Sequence, residues 1–400
     1  MIIHKALKRS ALTLAALALL VPVSWGTSEG KVAAQASKAP VTCGTGDHGL
    51  LQNIQKQHTG SDKEPFQFTD IQFLTAQKGR AAGTGFMIGT SDAGCQWQEI
   101  YTGQWQFKQI DFPDNTNGWA LATLPGQTTK YLIQTSDGGS HWKKVTNGGI
   151  AFDRIDLINK QTAVGYALNT AYRTTNGGLN WVKIKTPANT RYTSFEDLKK
   201  GYVLTVVPSG GYTVKKTIDG GLTWRTQLDV KTQPDMTIGG QVYSKGNQVW
   251  ALMFGGSGMS QVSYSLYGSS DQGGHWKKVI SQATAGGGPA PGGGSGVVNQ
   301  GPAMPGGHPS NMQLAGSSTA FLVGGSPAGG MVGIGRTYDG GKTWKNVKPD
   351  INGYDARISF IDGNIGWLAV TSPTKSSIYE TMNGGATWNR KFATKEALKP

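Results

Sequence analysis

Between residues 65 and 395 the apolar residues fall in short runs that alternate with polar ones, and glycine-rich turns separate the runs. Tyr131-Leu132-Ile133 enters one such turn and Trp142-Lys143-Lys144-Val145 leaves it. A period of two bounded by turn residues predicts half-buried β-strands. A second, looser pattern lies upstream of each turn. Ile110-Asp111-Phe112 is followed by Asn117-Gly118-Trp119-Ala120, Ile155-Asp156-Leu157 by Val164-Gly165-Tyr166-Ala167, and Ile358-Ser359-Phe360 by Ile365-Gly366-Trp367-Leu368. The first unit offers Ile71-Gln72-Phe73 and then Gly79-Arg80-Ala81-Ala82-Gly83. Each unit therefore reads strand, turn, strand, loop, strand, turn, strand. No helix of normal length is expected in this region.

The turn before the last strand is an octapeptide of the form Ser/Thr-x-Asp/Asn-x-Gly-x-x-Trp, beginning at Thr90, Thr135, Thr174, Thr217, Ser269, Thr337 and Thr381. Its acidic or amide positions are Asp92, Asp137, Asn176, Asp219, Asp271, Asp339 and Asn383. Its tryptophans are Trp97, Trp142, Trp181, Trp224, Trp276, Trp344 and Trp388, spaced 45, 39, 43, 52, 68 and 44 residues apart. Asp or Asn bonds its own backbone and tolerates a left-handed conformation, Gly supplies positive φ, and the leading hydroxyl adds a local hydrogen bond. Trp buries a large ring under the turn and keeps its N–H for a polar partner. A period near 45 residues implies one four-stranded unit per repeat. The expectation is an all-β, seven-bladed β-propeller with four-stranded antiparallel blades over residues 66–395. Its blades would span 66–104, 105–149, 150–187, 188–231, 232–282, 308–349 and 350–395.

The longest spacing contains residues 285–307, in which 14 of 23 positions are Gly or Pro. Removing this stretch restores a spacing of 45, so it reads as a mobile surface insertion within one blade. Residues 396–400 form a short tail.

Composition agrees with a turn-rich fold. The chain has 59 Gly in 400 residues and only 16% charged residues, against averages of about 7% and about 25%. At the amino terminus Lys5, Lys8 and Arg9 precede an apolar run from Ala11 to Val23. This is the layout of an export signal over residues 1–36, cleaved after Gly26 or Ala36, and a retained anchor is the alternative. Residues 37–65 would follow as an N-terminal segment. The signal carries three net positive charges, which leaves +11 of the chain's +14. An exported chain with one pair of cysteines predicts a bond between Cys43 and Cys95. The expected location is extracellular or associated with the cell envelope, with no transmembrane span after signal removal.

The octapeptide resembles the Asp-box, or bacterial neuraminidase repeat. Together with the upstream Gly-Trp-Ala strand, it resembles the photosystem II stability and assembly factor-like family of exported β-propellers, over roughly residues 65–395. That resemblance implies a non-enzymatic binding scaffold. The same repeat occurs in sialidases, plant-polysaccharide hydrolases and sortilin-like receptors, so it speaks for fold more than for function. The first copy departs from the pattern at Ala93 and Cys95.

A sialidase-like glycoside hydrolase is the sharpest enzymatic alternative. Such enzymes resemble one another in an Arg-Ile-Pro motif, an arginine cluster, a Tyr/Glu nucleophile pair and an acid Asp. Arg154-Ile155-Asp156 and Arg357-Ile358-Ser359 lack the Pro, and Tyr192 with Glu196 is a weak candidate pair beside a turn or solvated role. The box acids recur around the ring and cannot face one centre. His141 and His275 merely precede box tryptophans, so neither a metal nor a cofactor is expected. A polysaccharide-binding module using exposed aromatics such as Trp105 is a further alternative.

Basic residues follow the box tryptophans at Lys143, Lys144, Lys183, Arg225, Lys277, Lys278, Lys345 and Arg390. They would decorate an outer rim, where lysines also protect exposed edge strands. With a net charge of +11 they favour an anionic protein or cell-envelope partner. Nucleic acid is disfavoured by export and the lack of a recognised binding module. The sequence thus points to an exported, non-enzymatic, monomeric propeller that assists the assembly or retention of its partner.

Overall fold

The computed structural model describes residues 43–57, 66–258, 261–293, 308–326, 330–347, 349–372 and 375–394. The expected export signal, the second half of the insertion and the tail lie outside the described residues.

The alternating segments form antiparallel strands in six sheets, one of six strands and five of four, with strand order following the chain in each. The expectation of seven separate blades is therefore corrected to six sheets. Repeats one and two are fused because strand Gln98–Asp111 runs through the expected boundary at residue 104. Its first part pairs with strand Gly79–Thr90, as in Gly89 with Gln98 and Phe86 with Thr102. Its second part pairs with strand Gly118–Thr123, as in Gln106 with Thr123 and Asp111 with Trp119. Elsewhere Gly148-Gly149, Pro187, Pro234 and Pro349 interrupt the chain between repeats. Residues 102–106 hold a single Gly among strand formers, so the chain bends through register shifts without leaving the sheet.

The first strand of each repeat packs on the first strand of the next, and strand Asp355–Phe360 packs back on strand Phe68–Phe73. Arg154 Nη2 reaches Thr193 O across the third and fourth of these strands. The strands thus form a closed ring around a channel. At the closure Phe73 stacks on Trp367 with centroids 3.5 Å apart, and its N–H donates to Ser359 Oγ at 2.8 Å. Between sheets the core is aromatic and aliphatic, with Trp250, Trp367, Phe107, Phe152 and Phe321 fully buried. The upstream Gly of five units, Gly79, Gly118, Gly165, Gly201 and Gly366, makes room for this packing. A Cβ on Gly118 would lie 2.3 Å from the Phe112 ring, and one on Gly366 would lie 2.4 Å from Phe360.

The amino-terminal segment contributes helix Leu50–Gln57, which sequence patterning did not reveal. Leu50 and Ile54 are buried with Phe68, Phe86 and Phe392, residues of the first and last sheets. Cys43 and Cys95 are bonded, with Cα atoms 4.4 Å apart. Ala393 N–H donates to Gly46 O at 3.2 Å, and His48 Nε2 bonds Lys391 O at 3.1 Å. Among the described residues no helix is long and apolar enough to cross a membrane.

The first part of the insertion is packed on its sheet, contrary to the expected mobile loop. Ser263 Oγ donates to Gly287 O at 2.8 Å, Ser265 Oγ donates to Pro291 O at 2.6 Å, and Ala290 is buried. Glycine lets this happen. A Cβ on Gly256 would lie 2.5 Å from Gly287 O, so the two backbones meet at a separation that side chains would prevent.

Candidate functional site

All seven octapeptides adopt one geometry. In the second, Thr135 Oγ1 donates to Asp137 Oδ1 at 2.8 Å, Gly139 N–H donates to Thr135 Oγ1 at 3.0 Å, and His141 N–H donates to Asp137 Oδ1 at 3.0 Å. The fourth and fifth positions are left-handed in every copy, including Ala93 at φ 63° and Gln272 at φ 61°. The N–H of the fourth position always donates to a carbonyl in the turn between the unit's first two strands, as from Gly138 to Thr116 and from Gly384 to Asn364. All octapeptides therefore lie at the same end of their sheets. Asp92, Asn176, Asp219, Asp271, Asp339 and Asn383 repeat the bond to the leading hydroxyl.

Hydrogen bonds from backbone and side chain hold the carboxylates of Asp137, Asp219, Asp271 and Asp339 below the ordinary range. Asp219 falls to about 2, through the Thr223 hydroxyl and N–H. Asp339 also falls to about 2, because its bonds to Thr343 outweigh the opposing effect of desolvation. Asp137 and Asp271 are lowered chiefly by the N–H groups of His141 and His275.

The tryptophans are less buried than the sequence suggests. Trp97 and Trp344 are buried, while Trp142, Trp181, Trp224, Trp276 and Trp388 are half-buried. Four N–H groups close their own turn, as from Trp142 Nε1 to Gly139 O at 2.8 Å. Trp224 instead donates to Lys185 O at 2.9 Å in the preceding sheet. The first, fourth and fifth turns lean on an outer strand of the preceding sheet around the ring: a Cβ on Gly94 would lie 3.4 Å from Lys391 Cβ, one on Gly221 2.5 Å from the Ile184 side chain, and one on Gly273 3.3 Å from the Gln227 side chain.

The basic rim residues all occupy outer strands next to these turns, and they divide into two groups. Lys143, Lys183, Arg225, Lys345 and Arg390 are exposed and form no ion pair among the described residues. The other three are engaged. Lys144 Nζ sits 3.9 Å from the Tyr131 ring centroid, Lys277 donates to Lys342 O at 3.0 Å, and Lys278 donates to Gly293 O at 2.7 Å. Burial lowers the Lys278 ammonium, which holds the insertion to the sheet.

Sequence reasoning missed a polar belt on the channel-lining strands. Gln72, Gln109 and Gln313 each use one amide to pair both the N–H and the carbonyl of a residue on the next first strand or at its end. For Gln313 the partner is Phe360, with 2.6 Å to its N–H and 2.9 Å to its carbonyl. Asp70 Oδ2 accepts from Ile110 N–H at 2.9 Å, and Asp111 Oδ2 accepts from Leu157 N–H at 2.8 Å. Both acids are at least half-buried beside the neighbouring first strand. Desolvation therefore raises Asp70 to about 6 and Asp111 to about 7, against the lowering effect of their backbone bonds. The available signal was the recurrence of an acid or amide at alternate positions of first strands, one repeat apart.

Arg154 belongs to this belt. Its guanidinium bonds Asp156 at 2.6 Å and lies 3.9 Å and 4.5 Å from the ring centroids of Tyr166 and Tyr192. Arg357 pairs with Asp355 at 2.9 Å. Tyr192 thus serves as a platform for Arg154, while Glu196 pairs with Lys200 at 2.7 Å and accepts from Gly246 N–H at 3.1 Å. The two do not form a nucleophile pair. Trp105 is half-buried, edge-on to Tyr131 with centroids 6.0 Å apart. Among the described residues no cluster of three or more His, Cys, Asp or Glu side chains could hold a metal.

The ring of antiparallel sheets defines a β-propeller. No family model and no curated protein matches the chain. Solved structures do. The chain is similar to YCF48, a photosystem II assembly factor, in a structure with YCF48 bound to a D1 peptide. Identity there is 16% over 79% of this chain and 91% of that one, with a TM-score of 0.50. YCF48 from Cyanidioschyzon merolae gives 13% identity, 81% and 97% coverage, and a TM-score of 0.51. Prolyl oligopeptidase B from Galerina marginata gives 10% identity over 87% of this chain and 54% of that chain, with a TM-score of 0.53. At such identities the likeness is one of fold.

Proposed function

We propose that this chain is an exported, non-enzymatic propeller scaffold that binds an anionic protein or cell-envelope partner and assists its assembly or retention. One observation carries the reading. The channel carboxylates Asp70 and Asp111 are engaged in tying neighbouring strands together, while Lys143, Lys183, Arg225, Lys345 and Arg390 stand exposed at the octapeptide end of the sheets. Binding capacity therefore lies on the rim, and its charge selects acidic faces. The structure of YCF48 with a D1 peptide gives support by analogy, since a propeller of similar fold there holds a segment of another protein. The resemblance to Asp-box assembly-factor propellers and the export signal over residues 1–36 fit the same role.

The test is capture from an envelope extract, comparing wild type with a variant carrying Gln at all five free rim positions. A control variant carries Gln at Lys144, Lys277 and Lys278. Recovery of partner should fall at least tenfold in the five-site variant, fall with rising salt as the Debye length drops below about 10 Å, and change little in the control. Equal recovery by wild type and the five-site variant would overturn the rim as the binding surface.

A further inference from the structure

The sixth octapeptide position is Ser140 in the second copy, Gly274 in the fifth and Ala386 in the seventh, but Leu179 in the third and Leu222 in the fourth. Both leucines are exposed, at 65% and 77% of their surface. Ile218, at the second position of the fourth copy, is 68% exposed, and Val182, just after the third, is 57% exposed. These four residues lie on adjoining structure. Strand Val182–Ile184 leaves the third octapeptide, and the fourth rests on the end of that strand through the bond from Trp224 Nε1 to Lys185 O. Burying such aliphatic side chains in the core would have been favourable, so three of them exposed on two neighbouring turns, with Val182 exposed on the strand that joins those turns, leave an apolar face without a partner among the described residues.

The residues around the face are basic. Lys183, Lys185, Lys199 and Arg225 are exposed. Lys199 belongs to the turn whose carbonyl accepts the Gly220 N–H of the fourth octapeptide. The third copy carries Asn176 where most copies carry Asp, which removes one carboxylate from this sector. Three acids remain nearby: Asp197 and Asp219 accept hydrogen bonds within their own turns, and Glu196 is paired with Lys200.

We propose that this sector docks the propeller onto an anionic lipid bilayer, with Leu179, Ile218 and Leu222 entering the interface and the surrounding cations meeting lipid phosphates. The composition favours a bilayer over a protein partner. Protein interfaces are enriched in Trp, Tyr and Arg and depleted in Lys, whereas the exposed tips of this face are aliphatic, its tryptophans Trp181 and Trp224 are half-buried and tied into their own turns or the neighbouring strand, and three of its four cations are lysines. Aliphatic side chains flanked by lysine suit the headgroup boundary of anionic membranes. The proposal shares Lys183 and Arg225 with the rim described above but does not depend on a protein partner.

The test is co-sedimentation of the mature chain with vesicles of phosphatidylcholine alone or containing 30% phosphatidylglycerol. Wild type should bind the anionic vesicles and release at high salt. The combined Leu179→Ser, Ile218→Ser and Leu222→Ser variant should bind at least tenfold more weakly, with its melting temperature unchanged because these side chains are exposed. The Lys143→Gln, Lys345→Gln and Arg390→Gln variant, altered only outside the sector, should keep vesicle binding even if it loses protein capture. Absence of wild-type binding to anionic vesicles would overturn the proposal, and so would equal binding by the serine variant. Loss of a protein partner in the serine variant, without any vesicle binding by wild type, would reassign the face to protein docking and also overturn it.

Discussion

The octapeptide carboxylates and the channel carboxylates are the same chemical group doing the same task, yet they are pushed in opposite directions. Asp339 and Asp111 each accept a backbone N–H. Asp339 is held near 2 by bonds from Thr343 and Thr337 that outweigh a desolvation effect. Asp111 is pushed up to about 7, because protein surrounds it and Asp156 and Asp70 add negative charge. Local hydrogen bonding in water favours the charged form, while enclosure penalises that form more than one N–H repays. The comparison separates turns that fold locally from a belt whose energetics exist only once the ring has closed.

The largest expected effect of this difference is on stability against pH. In the unfolded chain both channel acids return to the ordinary value of 3.8, so between pH 4 and about 7 the folded protein binds more protons than the unfolded one. Stability should then rise on acidification, by on the order of 3 kcal/mol from pH 8 to pH 5. Asp111→Asn should remove more than half of that slope, as read by denaturant unfolding at a series of pH values. An unchanged slope would show that the carboxyl is not desolvated. Asp339 has the opposite sign. Its folded value lies below its unfolded value, so its contribution is present above pH 4 and is lost as the pH falls toward 2.

Cutting the belt without changing charge sharpens the contrast. Gln313→Ala leaves both backbone groups of buried Phe360 without their partner and should cost about 2 kcal/mol, independent of pH between 5 and 8. A loss below about 0.5 kcal/mol in the urea midpoint would mean that channel water replaces the amide. The smallest effect belongs to the turns. Asp339→Ala removes its bonds to Thr337 and Thr343 and should cost about 1 kcal/mol, because the freed Thr343 groups are exposed and only the Thr337 hydroxyl is buried. The cost should be flat above pH 5, shrink below pH 4 and vanish only below about pH 2, where the wild-type carboxyl itself becomes protonated.

Legibility in the sequence follows the range of the interactions. The turns could be read because the bonds inside each octapeptide span only two to four residues, as from the Gly139 N–H to the Thr135 hydroxyl and from the His141 N–H to the Asp137 carboxylate. The rim could be read only in part. That Lys143 follows a turn is sequence, but that Lys278 is drawn onto Gly293 depends on an insertion folding back over its own sheet. The fused first sheet was missed because continuity of strand Gln98–Asp111 depends on the lack of a breaker over residues 102–106, and the regular period masked that lack.

Alternation and the seven copies of the octapeptide determined by themselves that this protein is a repeated antiparallel β-structure, because strand pleating and turn bonding act over a few residues. Tertiary structure alone decided how many sheets result, which lysines remain free and what Asp70 and Asp111 experience. Those properties depend on partners outside the local turn, 15 residues away for Lys278 with Gly293, 40 for Asp70 with Ile110 and 46 for Asp111 with Leu157, and on the desolvation that comes with packing neighbouring strands together.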